Sequence, residues 1–306
     1  IHMPELPEVQ TTVNGLNKTV RGLNVLDVWT NLKTKDPRQK ETIKNPKYFS
    51  DFKKRIVGKK VIEAERRAKN ILIHISNGET ILIHLKMTGH LIYGKYEYDK
   101  KNNVWKPTKD ERDSLHDPYN RFVRAVFVLN NGKHLAFCDT RKFGKIAIEK
   151  TSLIKESKHL SHLGPEPLEK SFTALKLKER LLKKKTGKIK SVLLDQSVVS
   201  GVGNIYSDEL LWLASINPKR KISEIKKDEF PKIYKAMVSV LKKGIDFGGD
   251  STSDYRNIDG EHGKFHMSHN AYRKTGQKCN LKGCSGIIKR EIIGGRSSHF
   301  CSKHQK

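Results

Sequence analysis

Apolar residues recur at helical spacing near the start of the chain, where Val9, Val13, Leu16 and Val20 follow Pro7 and Gly22 stands where such a helix would stop. Positions three and four apart share one helix face, proline is tolerated in a first turn, and glycine favours the end. The pattern predicts an amphipathic helix. A period of two then takes over: Ile71, Ile73 and Ile75 alternate with Leu72 and His74 up to Asn77-Gly78, and an apolar run follows over 81–85. Two such runs around Asn-Gly predict a hairpin. The unit returns at 125–129, Asn131-Gly132 and 135–137, so residues 4–150 read as strands with a helix packed on them. Between the hairpins, 95–120 is polar with charge of both signs and reads as a surface insertion.

From residue 151 the character changes. A Gly164-Pro165-Glu166-Pro167 break precedes lysine-dense helical sequence through Lys190, then come an apolar stretch at 192–194, a Ser200-Gly201-Val202-Gly203 turn and a second helix over 204–214, closed by Asn217-Pro218. Two helices joined by a glycine turn form a unit of the helix-turn-helix kind. The last segment has a strand-like run at 287–293, a Gly294-Gly295 turn and Arg296, with Cys279 and Cys284 before it and Cys301 and His304 after it.

Charge narrows the class of partner. The chain carries 61 Lys and Arg against 33 Asp and Glu, a formal net charge of +28 over 306 residues. Such an excess calls for a polyanion, and nucleic acid leads. No apolar run approaches the roughly 18 residues of a spanning helix, and no secretory segment opens the chain, so an intracellular protein without a membrane partner is expected. With four cysteines in all, the paired placement of Cys279, Cys284, Cys301 and His304 suits one tetrahedral, closed, structural zinc better than a disulfide frame. The hairpin between the pairs would present Lys289, Arg296 and His299 to an acidic partner.

Two further segments have both a chemical and a plain reading. The Gly201-Val202-Gly203-Asn204 turn could bring backbone amides to a phosphate at a helix start, or could be a tight helix connection. The Pro4-Glu5-Leu6-Pro7-Glu8 start could simply begin a helix well. Chemically it offers more. Freed of Met3, Pro4 would expose a secondary α-amine, and an α-amine with a pKa of about 8 is far more deprotonated at neutral pH than a lysine. That makes a nucleophile, with Glu5 and Glu8 at hand for acid–base and positioning work. Ile1-His2-Met3 read as a cloning scar or misassigned start; if retained, they leave the Pro4 nitrogen a tertiary amide without a basic lone pair.

In chain order, Pro4-Glu5-Leu6-Pro7-Glu8-Val9, Arg66-Arg67-Ala68-Lys69, His84-Leu85-Lys86-Met87-Thr88-Gly89, Asp139-Thr140-Arg141-Lys142-Phe143-Gly144, Leu163-Gly164-Pro165-Glu166-Pro167-Leu168, Gly201-Val202-Gly203-Asn204-Ile205-Tyr206 and Gly294-Gly295-Arg296 resemble the formamidopyrimidine-DNA glycosylase family. The resemblance implies an α+β protein of two domains. An N-terminal β-sandwich flanked by helices would span 4–150 and a linker 151–165. A helix-two-turn-helix bundle with a lesion-capping loop would span 166–275, and a zinc-finger β-hairpin 276–306. It implies a bifunctional glycosylase and abasic-site lyase that acts as a monomer on double-stranded DNA with oxidised bases or abasic sites, in the cytoplasm or nucleoid of a prokaryote.

By the same resemblance, Pro4 would attack C1′ of the damaged nucleotide and form a Schiff base, Glu5 would act on the sugar and departing base, Glu8 would support the helix start, and Lys69 would hold phosphate and assist. His84, Lys190, Asn204 and Arg296 would bind DNA. Met87, Arg141 and Phe143 would fill the void left by an everted nucleotide, offsetting part of an unstacking cost of a few kcal/mol. The Leu6 form of the start, the Met-Arg-Phe set and a loop from Gly248-Gly249 to Gly263 point to oxidised purines such as 8-oxoguanine and formamidopyrimidines. The sibling endonuclease VIII branch, for oxidised pyrimidines, is the alternative. Three features depart from the family: in the metal site four residues separate the first cysteine pair where two are usual and His304 replaces a cysteine, the 95–120 insertion has no assignable role, and Ile1-His2-Met3 precede Pro4. A non-enzymatic DNA-binding zinc protein would explain charge, finger and turn but not Pro4-Glu5 or the Met-Arg-Phe set. A ribosome-associated zinc protein would explain only charge and finger.

Overall fold

Helix α1 (Leu6–Thr19) forms where the helical period lies, with Val9, Val13 and Leu16 on its buried face and Glu8 and Lys18 in its first and last turns, each placed to complement the helix dipole. Gly22 then turns the chain with φ 83°, a conformation that disfavours any residue with a Cβ. The computed structural model describes residues 3–252 and 254–306. Two compact units result. The first comprises the chain through Pro4, Glu8–Ser161 and Gly248–Gly263, and the second comprises Glu5–Pro7, His162–Phe247 and Lys264–Lys306.

The first unit is a β-sandwich. Its strands are β1 (Val25–Thr30), β2 (Val61–Arg67), β3 (Asn70–Ile75), β4 (Glu79–His84), β5 (His90–Gly94), β6 (Tyr96–Asp99), β7 (Val104–Pro107), β8 (Val123–Leu129), β9 (His134–Cys138) and β10 (Lys145–Lys150), with helix α2 (Pro46–Ile56) after β1. One antiparallel sheet runs β1-β8-β9-β5 and the other β10-β4-β3-β2. Both expected hairpins are present, β3–β4 and β8–β9. Val28, Leu91, Phe127 and Phe137 of the first sheet and Ile71, Ile73, Ile81 and Ile83 of the second share one core with Val9, Val13 and Leu16 of α1 and Phe52 of α2. Packing of two inner faces into one core is what defines a sandwich. The 95–120 segment is more than surface: it forms the β6–β7 ribbon and two short 3-10 turns, and Tyr96, Leu115 and Asn120 are buried.

The second unit is helical. The lysine-dense stretch breaks into α3 (Ala174–Leu182) and α4 (Ile189–Leu194), followed by α5 (Asn204–Leu213), α6 (Glu229–Asp246) and a terminal hairpin, β11 (Ile288–Ile293) with β12 (Arg296–Cys301). Leu177, Leu181, Leu193, Ile205, Leu210, Ile233, Met237 and Leu241 form its core. Residues 248–263 group with the first unit and not with the 166–275 segment in which the sequence placed them. Among the described residues, no helix is long and apolar enough to cross a membrane.

Candidate nucleic-acid interface and metal centre

In the first unit Met87, Arg141 and Phe143, far apart in sequence, come together. The Arg141 guanidinium lies 3.6 Å from the Met87 sulfur and 5.0 Å from the Phe143 ring centroid. Phe143 is 47% exposed, an unusual state for so large an apolar ring unless something covers it. Asp139 makes the arrangement. Its buried carboxylate accepts from the Thr88 hydroxyl, from Arg141 N at 3.2 Å and from Gly144 N at 2.8 Å, so it ties the residue after Met87 to the loop that carries Arg141 and Phe143. The sequence reading gave Asp139 no role. Its signal is the local Asp-to-amide spacing of an Asx turn.

Cations gather around His84. Burial and then Lys86, Lys69, Lys145 and His159 drive its imidazole well below the ordinary histidine range, so it is neutral at pH 7. Its Nδ1 accepts from Lys86 N at 3.0 Å, which leaves the proton on Nε2. Burial, then Lys145 and Lys69, lower Lys86, and burial also lowers Lys44. Lysines crowded this way favour a polyanion that would relieve them. Lys44, Lys86 and Lys145 were not singled out from sequence, because they and the cations beside them come from separate segments of the chain. Lys69 is 7% exposed and follows Ala68, whose φ of 54° sharpens the β2–β3 turn.

The acidic residues of the start are anchored. Glu8, fully buried, accepts from Asp250 N at 2.7 Å, and its carbonyl accepts from the Tyr255 hydroxyl at 3.0 Å. In the second unit Glu5 accepts from Ile205 N at 2.9 Å and Tyr206 N at 3.4 Å. A Cβ at Gly203 would collide with the Glu5 carboxyl carbon, so this glycine provides room for that carboxylate. The turn therefore directs these two amides of α5 to Glu5, which corrects the expectation that they are open to phosphate. Pro4 is buried, and its nitrogen is an amide while Met3 precedes it.

Lys190 also departs from its expected place. Its ammonium is fully buried, 2.6 Å from the equally buried Asp208 carboxylate and 2.9 Å from the Asn204 carbonyl, so it cannot reach a phosphate from this position. Asp208 in turn accepts from His299 N at 3.0 Å and Nδ1 at 2.9 Å, which takes His299 off the surface where it was expected. Arg296 and Lys289 of the hairpin are exposed as expected, and Asn204 is half-buried at the start of α5.

Cys279, Cys284, Cys301 and His304 place their ligand atoms within 4.8 Å of one another. Cys279 Sγ lies 3.3 Å from His304 Nδ1, and Cys284 Sγ lies 3.6 Å from Cys301 Sγ and 3.9 Å from His304 Nδ1. Tetrahedral zinc, with Zn–S about 2.3 Å and Zn–N about 2.0–2.1 Å, sets such atoms roughly 3.5–3.8 Å apart. The donor set fits. All four cysteines are free, and His304 points Nε2 at the Trp212 carbonyl, 3.1 Å away, which leaves Nδ1 for a metal. Gly286 N and Lys303 N donate to the sulfurs of Cys284 and Cys301, as suits thiolates.

The sequence matches the formamidopyrimidine-DNA glycosylase N-terminal domain over residues 3–146 and the H2TH domain of the same glycosylase over 163–256. Formamidopyrimidine-DNA glycosylases of Pelotomaculum thermopropionicum and Desulforamulus reducens are 34% and 35% identical to it, each with 99% of both chains covered. The chain belongs to the formamidopyrimidine-DNA glycosylase family. Its fold is that of the family's solved members: the Lactococcus lactis enzyme in complex with DNA containing an abasic site superposes with a TM-score of 0.81, at 28% identity and with 99% of both chains covered. The same enzyme with DNA containing N7-benzyl-Fapy-dG gives 0.80, at 28% identity and with 99% and 100% covered.

Proposed function

We propose that this family member excises oxidised purines from double-stranded DNA by everting the damaged nucleotide, and that it cleaves the resulting abasic site. The observation that carries the reading is the Met87–Arg141–Phe143 cluster: two side chains suited to stacking and a guanidinium, held together by Asp139 and left uncovered. An extruded base leaves a void of that character. Support for oxidised purines over pyrimidines comes from the relatives' names and the Leu6 start. The 248–263 loop would close over the everted base, with its Asp250 amide fixed on Glu8.

In this reading, Pro4 freed of Met3 attacks C1′ through its nitrogen lone pair as the base leaves, the C1′–O4′ bond then opens with a proton to O4′ to give the iminium, and the iminium permits elimination on both sides of the sugar. Glu5 acts on the sugar and departing base. Lys69, His84, Asn204 and Arg296 would face the DNA backbone, His84 as a neutral Nε2 donor. Cys279, Cys284, Cys301 and His304 would hold one structural Zn2+, which leaves no position open for water and serves to brace the hairpin.

Borohydride tests the nucleophile. With Pro4 as the confirmed N-terminus, reduction should trap a covalent adduct on duplex DNA that contains 8-oxoguanine. With Ile1-His2-Met3 retained, trapping should vanish while lesion binding persists. No adduct from the processed protein would remove Pro4 from this role.

A second test separates charge from stacking. Phe143→Ala and Met87→Ala should slow single-turnover excision about tenfold or more, since each forfeits part of a few kcal/mol of void filling. Both should leave the salt dependence of binding unchanged. Arg296→Ala should reduce the log–log salt slope by about 0.9. Should Phe143→Ala alter the slope at an unchanged rate, the ring is not a void filler.

A further inference from the structure

The 95–120 segment reaches the 248–263 loop at several points within the first unit. Arg112 pairs with the Asp259 carboxylate at 3.0 Å and donates from Nε to the Asp259 carbonyl at 3.0 Å, and the Ser114 hydroxyl donates to that same carbonyl at 2.7 Å. The Asp117 carboxylate takes Nε and Nη2 of Arg256 at 3.2 and 3.1 Å, with His262 Nε2 at 3.3 Å. Arg256 is 1% exposed, and its guanidinium lies over the Tyr119 ring, 4.8 Å from the centroid. Burial works against the Asp117 charge, but the Tyr119 amide and Arg256 outweigh it and hold the carboxyl below its ordinary range.

The backbones touch as well. Gly260 has φ 78°, and a Cβ there would come within 2.7 Å of the Ser114 carbonyl oxygen. The loop is braced within itself, where Ser251 Oγ donates to the Tyr255 carbonyl and accepts from Gly263 N, and at Ile258 in the sandwich core, but its Arg256–Gly260 stretch also leans on 112–120. A buried guanidinium paired through two nitrogens has a narrow geometry and is costly to break, so Asp117 restricts where Arg256, and the stretch of loop beside it, can lie. Arg141 of the Met87–Arg141–Phe143 cluster acts on the loop through its charge: burial raises the Asp254 carboxyl, and Arg256 and then Arg141 oppose that shift.

We propose that residues 112–120 are a latch that fixes the 254–262 loop on the sandwich, which makes Arg112, Ser114 and Asp117 positioning residues for recognition of the everted base. The second half of this statement rests on the function proposed above. The latch gives the 95–120 segment the task that its sequence did not disclose. It also accounts for a fully buried arginine in a glycine-rich loop.

Hydrogen exchange on the full-length protein tests the latch directly. Asp117→Asn keeps an oxygen for the Tyr119 amide while losing the charge, and the half-exposed Arg112 permits Arg112→Ala without loss of the core. In both variants, amides of 254–262 should exchange about tenfold faster while the β8–β9 ladder is unchanged. Single-turnover excision of 8-oxoguanine should slow about tenfold with little change in Kd, and cleavage of a preformed abasic site should proceed at the parent rate, a split that general destabilisation would not give. Unchanged exchange at 254–262 in both variants overturns the latch. Faster exchange with unchanged excision upholds the latch and overturns the role proposed for the loop over the base.

Discussion

Replacing Lys190 by methionine will destabilise the second unit by about 3–5 kcal/mol, the usual consequence of removing one partner from a buried ion pair. The residue lies among basic sequence that suggests a phosphate contact, but its ammonium is fully buried against Asp208 and the Asn204 carbonyl. Without it, the fully buried Asp208 carboxylate loses its cationic partner and retains, among the described residues, the two donors of His299. The loss should appear as faster exchange in α4, α5 and β12, which that carboxylate joins. Lys190→Met with Asp208→Asn should recover much of it, because the uncompensated charge is gone. If Lys190→Met instead keeps the parent stability and lowers the salt slope of DNA binding by about one contact, the ammonium reaches phosphate after all.

What the sequence disclosed, and what it hid, follows from the range over which each feature is determined. Hairpins β3–β4 and β8–β9 and helix α1 were legible because period, turn residues and helix stop are local. The sheet partners were not. β1 lies beside β8, and β10 beside β4, through pairings that no short pattern encodes. Helix α6 was not singled out from sequence, although Phe230, Ile233, Met237, Val240 and Leu241 stand at helical spacing and Pro231 occupies the first turn, where no amide is needed. The candidate chemistry divides in the same way. Cys279, Cys284, Cys301 and His304 were found by spacing and meet as expected. Glu5 was found too, but not its seat on the α5 amides, because that contact links residues 200 positions apart. Lys190 was misread because sequence reports charge and not burial, and 61 basic residues make any one of them look like a phosphate ligand.

Removing the zinc proposed for Cys279, Cys284, Cys301 and His304, or replacing Cys301 by alanine, will abolish specific DNA binding while the sandwich and α6 stay folded. The terminal hairpin has almost no core of its own: the buried cluster beneath it is Trp212, Ala271, Cys279, Ile288 and Cys301, so two of its five members are ligands. Of its other large apolar residues Ile293 and Phe300 are buried, but Ile292 at 74% and Ile287 at 49% exposure are not. A unit this small cannot offset chain entropy by burial alone, and structural zinc in such units contributes about 10–16 kcal/mol of binding energy that is folding energy. Loss should stop at a defined boundary. Glu209 on α5 accepts from Asn270 N, Ala271 N and Tyr272 N at 2.8, 2.9 and 2.8 Å, bonds that involve no ligand, so the chain should remain anchored up to Tyr272. Past it, the β11–β12 amides should exchange nearly as in an unfolded chain, and Arg296 should lose its fixed position. Chelation should then weaken binding to lesion DNA at least as much as Arg296→Ala does, and re-addition of Zn2+ should restore it. If the chelated protein binds lesion DNA as tightly as the metal-loaded one, or if Arg296→Ala leaves affinity untouched, the metal braces the hairpin for a purpose other than DNA.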